Sequence, residues 1–199
     1  NDELYLEYHQ GTYTTQAKMK KFNRSGEMLL TNAEKFSSLA AFAGGSYNGT
    51  ALEEAWRKLL FLQFHDILPG SSIREVYVDA AEKHLEAQEI GKFELTRSLQ
   101  YLARQINTAK VRQGLPVVVF NPLSWDRTDI VRVELPKGDE VEYAVFDDQG
   151  KEIPSQTVLT GRYQREIMFV AENVPSIGYK IYQLRKQKAA APKTALMVS

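Results

Sequence analysis

The sequence predicts an α+β chain of two domains, an antiparallel three-helix bundle followed by a partial antiparallel β-sandwich. Two observations predict this class. Apolar residues recur at helical spacing through the first part of the chain, whereas from Leu115 onward they occur in short runs or alternate with polar residues, as in strands. We expect the helical domain to span 1–114, the beginning of the β-sandwich 115–185 and a flexible tail 186–199.

The first helix is predicted from about Gln16 to Ala43, after an extended segment at Leu4–His9. Its apolar residues recur at the spacings of one helix face. They are Met19, Phe22, Leu29, Ala33, Phe36 and Ala40. Gly44–Gly45 follows and is a typical helix stop, so the helix should end there.

The second helix is predicted to begin at Thr50, because a threonine followed by a glutamate at Glu53 has the spacing of a capping box. Apolar side chains surround most of this helix, which predicts a central position in the bundle. They are Leu52, Ala55, Trp56, Leu59, Leu60, Phe61, Leu62 and Phe64. Pro69–Gly70 marks the break that follows.

The third helix is predicted from Ile73 to about Asn107, with Ser71 or Ser72 as its N-cap. The candidates for burial are Ile73, Val76, Tyr77, Ala80, Ala87, Ile90, Leu95, Leu99, Leu102 and Ile106. His84 has charged neighbours on both sides, which favours a solvated face. Three helices with short connections pack most simply as an up-down-up bundle.

Short strands are predicted after the helices, with turns at Asn121–Ser124 and Asp148–Gly150. The strands are Pro116–Phe120, Thr128–Leu135, Glu142–Asp147, Val158–Thr160, Arg165–Val170 and Gly178–Leu184. Trp125–Arg127 is interpreted as a turn with an aromatic anchor. Strands so few and so short predict an antiparallel sandwich that is only partly present.

Charge and composition exclude several classes of function. The 25 basic and 25 acidic residues cancel, so an extended nucleic-acid surface is not supported. The chain has no cysteine, which excludes disulfides and thiolate metal sites and fits a reducing compartment. No apolar run is long enough to span a membrane. We therefore expect a cytoplasmic protein that binds neither nucleic acid nor membranes.

The strongest candidate site is the neighbouring pair His65 and Asp66, at the end of the second helix. Imidazole is a common zinc ligand, and a carboxylate can bind either a metal or a sugar hydroxyl. The alternative is structural, since a histidine at a helix end can cap backbone carbonyls. A catalytic zinc needs about three protein ligands, so this pair cannot form a complete site.

Other residues that could take part in chemistry have a stronger structural interpretation. His9, at the end of the extended segment, could fold towards the helix ends but is better explained by packing there. Glu3 and Glu7 would share one side of a strand, and paired carboxylates are typical of glycosidases. Their spacing is too common to indicate such an enzyme.

Three strings, found in this order, resemble one family. The first is Glu3–Gln16 with Lys20–Arg24 after it, and the second runs from Trp56 to Ser72 and ends in Gln-Phe-His-Asp-Ile-Leu-Pro-Gly-Ser-Ser. The third is Val119–Trp125. Together they resemble glycoside hydrolase family 38, the retaining α-mannosidases, and more its bacterial and cytosolic-type branch than its Golgi branch. The resemblance spans about residues 1–185.

The resemblance implies a middle piece of a larger metal-dependent enzyme, with zinc or another divalent metal as cofactor, that hydrolyses α-mannosidic bonds in oligosaccharides or glycans. It would cover the helical middle domain and the start of the C-terminal β-sandwich. In that family a histidine of the middle domain completes a zinc site whose other ligands, with the nucleophile, come from the N-terminal catalytic domain. His65 matches that histidine, and Asp66 matches an aspartate that contacts the sugar in the −1 subsite.

The resemblance therefore implies no catalytic residue within this chain, which should be inactive alone. Its implied partners are an α-mannoside substrate and the N-terminal catalytic domain, and an oligomeric assembly is left open. The rival hypothesis is a non-catalytic module for carbohydrate binding or assembly, in which His65 and Asp66 only cap a helix.

Overall fold

The computed structural model describes residues 11–12, 14–109, 111, 113–137, 141–161 and 164–189. The chain divides into two compact units, Asn1–Gln105 and Ile106–Ser199. The first is helical and the second consists of two antiparallel sheets, so the predicted α+β class is confirmed. The extended segment predicted before the first helix lies outside the described residues.

Three helices form the helical unit: α1 Ala17–Phe42, α2 Gly49–Phe61 and α3 Arg74–Gln105. α1 and α3 run in the same direction, because Phe22 lies against His84 and, further along both helices, Ser37 bonds to Ser98. The bonds between α2 and α3 follow the opposite order, so α2 is antiparallel to both. This is the predicted up-down-up bundle. In the described part of the chain, no helix is long and apolar enough to cross a membrane.

Two glycines of the bundle core lie directly against leucine side chains of neighbouring helices. A Cβ atom on Gly26 of α1 would lie 2.9 Å from Leu59 Cδ1, and one on Gly91 of α3 would lie 2.8 Å from Leu30 Cδ2. Both leucines are fully buried. The two glycines therefore leave the space that these leucine side chains fill.

The start of α2 differs from the prediction. Its N-cap is Asn48, whose Oδ1 accepts a hydrogen bond from the Ala51 amide at 3.3 Å. The side-chain Nδ2 of Asn48 donates to Oε1 of the buried Glu94 of α3 at 3.0 Å. The predicted capping box at Thr50 is therefore wrong. Asn48, two residues before Thr50, caps the helix instead, because its side chain also has a partner on α3. Glu53 pairs with Arg57 on the surface.

α2 is also less enclosed than predicted. One side of the helix is buried in the bundle, with Leu52 and Leu59 fully covered. Leu60, Phe61 and Phe64 are each more than half exposed. We call these three residues the α2 apolar patch. The prediction of a helix surrounded by protein is wrong for this side, where the described residues provide no cover.

Two assignments on α3 are corrected by the structure. Ile73 was expected to be buried but lies before the first turn and is exposed. His84 was expected on a solvated face but is only 1% exposed. Its ring lies 5.3 Å from that of Phe22, and among the described residues its Nε2 has no hydrogen-bond partner. Its charged sequence neighbours point elsewhere, because α3 buries one residue in every three or four.

We expect the helical unit to lose stability as the pH falls below about 6.5, the ordinary pKa of histidine. Burial lowers the pKa of His84, so in this window the unfolded chain binds a proton that the folded unit does not bind. The free energy of unfolding should then fall by at most about 1.4 kcal/mol per pH unit. This loss of stability begins where the pH falls to the pKa that His84 has in the unfolded chain. It ends at the lower pKa that His84 has in the folded unit.

Urea unfolding followed by far-ultraviolet circular dichroism, at about pH 7.5 and 5.5 on either side of the histidine pKa, measures this loss. His84→Leu should reduce the difference between the two pH values. His65→Gln, which changes an exposed histidine, should reduce the difference less than His84→Leu does. An equal pH dependence in His84→Leu and the unmodified chain would contradict the prediction.

The described residues of the second unit form seven strands in two sheets. The first sheet has the order β1-β7-β3-β4, and its strands are β1 Leu115–Phe120, β3 Tyr143–Phe146, β4 Glu152–Ile153 and β7 Tyr179–Lys186. The second has the order β2-β6-β5, with strands β2 Arg127–Glu134, β5 Ser155–Leu159 and β6 Arg165–Val174. All neighbouring strands are antiparallel. β7 includes Lys186, and residues 190–199 of the predicted tail lie outside the described residues.

The two sheets bury one shared core. Its residues are Leu135, Tyr143, Val145, Ile167, Phe169, Ala171, Val174, Tyr182 and Leu184. The predicted turn at Asp148–Gly150 is confirmed, with Gly150 at φ 78° and the Asp147 carboxylate accepting from two turn amides. The turn leads into β4, which has only two residues. A strand this short is not long enough to show an alternation of apolar and polar residues, so it was not predicted. The predicted partial antiparallel sandwich is therefore present.

The turn after β1 is organised by Asn121 rather than by its tryptophan. Asn121 is buried, and its Nδ2 donates to the carbonyls of Trp125 at 2.7 Å and Val174 at 3.0 Å. Trp125 itself is 61% exposed. The predicted aromatic anchor is therefore wrong, since the buried amide satisfies the backbone groups where the turn meets β6.

Candidate functional site

The candidate site lies on the loop between α2 and α3, which we call the His65 loop, residues 62–73. α2 ends at Phe61, and the loop is made of turns whose buried anchors are Leu62 and Ile67. The amides of Ile67 and Leu68 both donate to the carbonyl of Phe64, at 2.9 and 3.1 Å. His65 and Asp66 therefore project from one closed turn, directly beyond the helix end as predicted.

His65 projects into solvent rather than onto the helix end. Its side chain is 78% exposed, its ring lies 4.2 Å from the ring of Phe64, and its Nε2 is 3.4 Å from Asp66 Oδ2. In the described part of the chain it donates to no backbone carbonyl, and the end of α2 is closed by the backbone of Leu62. The capping interpretation of His65 is therefore wrong.

Asp66 is held through its backbone while its side chain stays accessible. Its carbonyl accepts hydrogen bonds from Ser72 Oγ at 2.8 Å and from the Tyr77 hydroxyl at 3.1 Å. The Tyr77 hydroxyl also accepts from the Ser72 amide at 2.8 Å. One carboxylate oxygen accepts from Ser71 Oγ at 3.1 Å. Tyr77 of α3 thus fixes the position from which the half-exposed carboxylate projects.

An open pocket of about 570 Å³ lies beside His65. It is lined by Thr12, Lys20, Asn23, Arg24, Glu27, Gln63, His65, Leu68 and Pro69. Most of these residues are polar, and four of them come from one side of α1 at helical spacing. This polar side of α1 is not among the predicted site residues, although its polar residues recur at spacings of three and four in the sequence.

Three polar residues join α1 to the start of the His65 loop. Gln63 Nε2 donates to Asn23 Oδ1 at 2.9 Å and to Glu27 Oε1 at 3.0 Å. Asn23 Nδ2 also donates to Glu27 Oε1 at 3.2 Å, and the other Glu27 oxygen pairs with Arg24 at 3.2 Å. The carboxylate of Glu27 is therefore committed to protein partners within the pocket wall.

The described residues can supply part of a metal site. Among them, no group of three or more histidine, cysteine or acidic residues could hold a metal ion. His84 is enclosed in the helical core, and His9, Glu3 and Glu7 lie outside the described residues. His65 is exposed and its Nε2 lies near the Asp66 carboxylate, and an exposed imidazole has the donor chemistry that zinc accepts. One histidine is fewer than the three or so protein ligands that a catalytic zinc needs.

The comparisons with known proteins agree on one family. Residues 7–102 match the family described as the alpha mannosidase middle domain. Over 138 residues the chain is 37% identical to Alpha-mannosidase 2C1 of Mus musculus, covering 68% of this chain and 13% of that protein. The chain belongs to the family 38 α-mannosidases. This membership confirms the resemblance in the sequence, including its extent over the middle domain.

Further relatives of this family 38 chain are likewise matched over only a small part of their own length. Alpha-mannosidase of Saccharomyces cerevisiae is 41% identical over 137 residues, which are 66% of this chain and 12% of that protein. A family 38 glycosyl hydrolase structure from Enterococcus faecalis has the same fold, with a TM-score of 0.78 at 20% identity. It covers 95% of this chain, which spans 27% of that one. This family 38 chain is thus much shorter than the relatives it matches.

Proposed function

We propose that this chain is part of a zinc-dependent retaining α-mannosidase, in which His65 supplies one zinc ligand and Asp66 contacts the substrate. The observation that carries the proposal is the exposed His65–Asp66 pair on a turn held from several sides, in a chain of this family. His65 would hold the metal through a ring nitrogen. Zinc, when bound, would orient and polarise sugar hydroxyls.

Asp66 would accept a hydrogen bond from a mannose hydroxyl. The contacts of its carbonyl with Ser72 and Tyr77 fix the backbone from which the carboxylate projects, and Ser71 Oγ donates to one carboxylate oxygen. A backbone fixed in this way lowers the entropy cost of placing the carboxylate against a sugar hydroxyl.

The chain alone should lack activity. Retaining hydrolysis needs two carboxyl groups on opposite sides of the glycosidic bond, one as nucleophile and one as acid and base. Of the described residues in the pocket wall and the His65 loop, Asp66 and Glu27 carry carboxylates, and Glu27 is engaged by Arg24, Asn23 and Gln63. The nucleophile and the remaining ligands would come from another part of the enzyme. The α2 apolar patch beside His65 supports such a neighbour, because exposed aromatic clusters are typical of surfaces that other protein covers.

The test is His65→Ala in the full-length enzyme that contains this sequence. Loss of one zinc ligand should lower the zinc content of the purified protein and abolish hydrolysis of an aryl α-mannoside. Far-ultraviolet circular dichroism should be unchanged, because the side chain is exposed. Full activity after zinc is removed from the unmodified enzyme would refute the metal role.

Asp66→Asn tests the substrate contact separately. It should reduce hydrolysis while zinc content stays normal. Asp79→Asn, the same change at an exposed position of α3, is the matched control and should leave both unchanged. If the full-length enzyme bound α-mannosides without hydrolysing them, the rival carbohydrate-binding module would be favoured instead.

A further inference from the structure

We propose that Lys20 of α1 is a positioning residue, which fixes the His65 loop against the start of α1 and so sets the place of His65 and Asp66. The part of this inference that concerns the metal and the substrate rests on the proposed function. The part that concerns the loop rests on the contacts of Lys20 alone.

The ammonium group of Lys20 contacts three backbone carbonyls. Its Nζ lies 2.8 Å from the oxygen of Thr15, 3.1 Å from that of Leu68 and 3.2 Å from that of Pro69. An ammonium group has three hydrogens and no acceptor, so these carbonyls use its full capacity. In the described part of the chain Lys20 forms no ion pair with a carboxylate. Its charge is therefore balanced by carbonyl dipoles, in charge-assisted bonds stronger than neutral ones.

These bonds join segments that are distant in sequence. Thr15 precedes α1, whereas Leu68 and Pro69 belong to the His65 loop, 48 and 49 residues after Lys20. Their convergence shows that Lys20 joins the loop to the start of α1. Without the ammonium group, the Leu68 and Pro69 carbonyls would lose the donor that they share.

A second contact, independent of Lys20, shows how closely the two segments approach. Gly70 has φ 96°, and a Cβ atom placed on it would lie 2.5 Å from Thr15 Cγ2 and 3.1 Å from the Thr15 carbonyl oxygen. Only glycine fits this backbone conformation and this space. The loop therefore rests directly on Thr15, next to the carbonyl that Lys20 holds.

The turn that bears the candidate site lies between two supports. On one side Lys20 holds Leu68, whose amide closes the turn onto the carbonyl of Phe64. On the other side Tyr77 of α3 holds the carbonyl of Asp66. Lys20 touches neither His65 nor Asp66, so its effect on them acts through the backbone of the turn.

The first experiment compares Lys20→Met with Lys21→Met in this 199-residue chain. Lys21 is the exposed neighbour on the same helix, so its variant removes the same charge without the three bonds. Hydrogen–deuterium exchange at the amides of residues 64–72 should be faster in Lys20→Met than in Lys21→Met, with exchange in the middle of α3 unchanged. Equal exchange at 64–72 in the two variants would overturn the proposal, whatever the activity of the enzyme.

The second experiment places both variants in the full-length enzyme. Zinc affinity, measured by competition with a chelator, and kcat at saturating zinc should each fall on the order of tenfold in Lys20→Met, as for groups that orient metal ligands. Lys21→Met should match the unmodified enzyme. If exchange rises but zinc affinity and kcat equal those of Lys21→Met, the positioning role is overturned.

The outcomes separate this inference from the proposed function. If the unmodified enzyme neither binds zinc nor hydrolyses α-mannosides, the proposed function fails, while faster exchange in Lys20→Met still shows that Lys20 holds the loop. If Lys20→Met does not fold, Lys20→Gln gives the same comparison, because its side chain keeps an amide donor but is too short to reach all three carbonyls.

Discussion

Leu59→Ala should lower the free energy of unfolding of the helical unit by roughly 2–5 kcal/mol, the range for a leucine removed from a packed core. Leu59 is 0% exposed, and its Cδ1 occupies the space left by Gly26 on α1. Leu30, Ala55 and Ala87 complete the cluster around it. The bundle cannot close this cavity easily, because α1 and α2 are already in close contact at the glycine.

The matched control is Leu60→Ala, one residue further along α2. Leu60 is 57% exposed, so the same truncation should change the free energy of unfolding by about 0.5 kcal/mol or less. Urea unfolding followed by the helical circular dichroism signal measures the helical unit, because the helices lie in that unit among the described residues. Equal effects of the two truncations would contradict the packing described for α2.

Asn121→Ala should destabilise the β-sandwich by roughly 3 kcal/mol, since several buried backbone groups lose one shared partner. Its Nδ2 donates to the carbonyls of Trp125, Val174 and Pro175, and its Oδ1 accepts from the Leu123 amide at 3.0 Å. Water cannot replace these bonds without entering a site where Asn121 is fully covered.

The sandwich can be followed separately from the bundle. The chain has two tryptophans, and a Trp56→Phe background leaves Trp125, next to the altered turn, as the fluorescent reporter. Ser124→Ala removes an exposed hydroxyl from the same turn and is the control, expected within about 0.5 kcal/mol of the unmodified sandwich. A comparable loss in Ser124→Ala would show that any change in this turn destabilises the sheet.

Helix and strand positions were predictable where one face of an element is apolar. The three helices and most strands follow directly from such periodicity. The error at His84 has a clear cause. The buried residues of α3 are Tyr77, Ala80, His84, Ala87, Gly91, Glu94 and Ser98, which alternate spacings of three and four. His84, Glu94 and Ser98 are polar, so hydropathy does not indicate that they are buried, although their spacing places them in the same buried series.

The candidate site was predictable only in part, for a physical reason. A helix end next to Pro69–Gly70 is a local signal, and it placed His65 and Asp66 correctly after α2. The contacts that hold them are not local: Lys20 and Gln63 reach partners on segments tens of residues away. No periodicity indicates such contacts. Likewise, the exposure of Leu60 and Phe61 depends on which other residues pack against α2. The local sequence of α2 does not indicate those residues.

The N-cap of α2 fixes the distance along the helix between α3 and the His65 loop. Asn48 is tied to Glu94, so the helix begins at a place that α3 determines, and its 13 residues span about 20 Å before the His65 loop begins. One residue added to α2 would turn the loop by about 100° and move it by about 1.5 Å. Gln63, Leu68 and Asp66 could not then all reach their partners on α1 and α3. The number of residues between Asn48 and His65 is therefore as much a part of the site as the identity of either side chain.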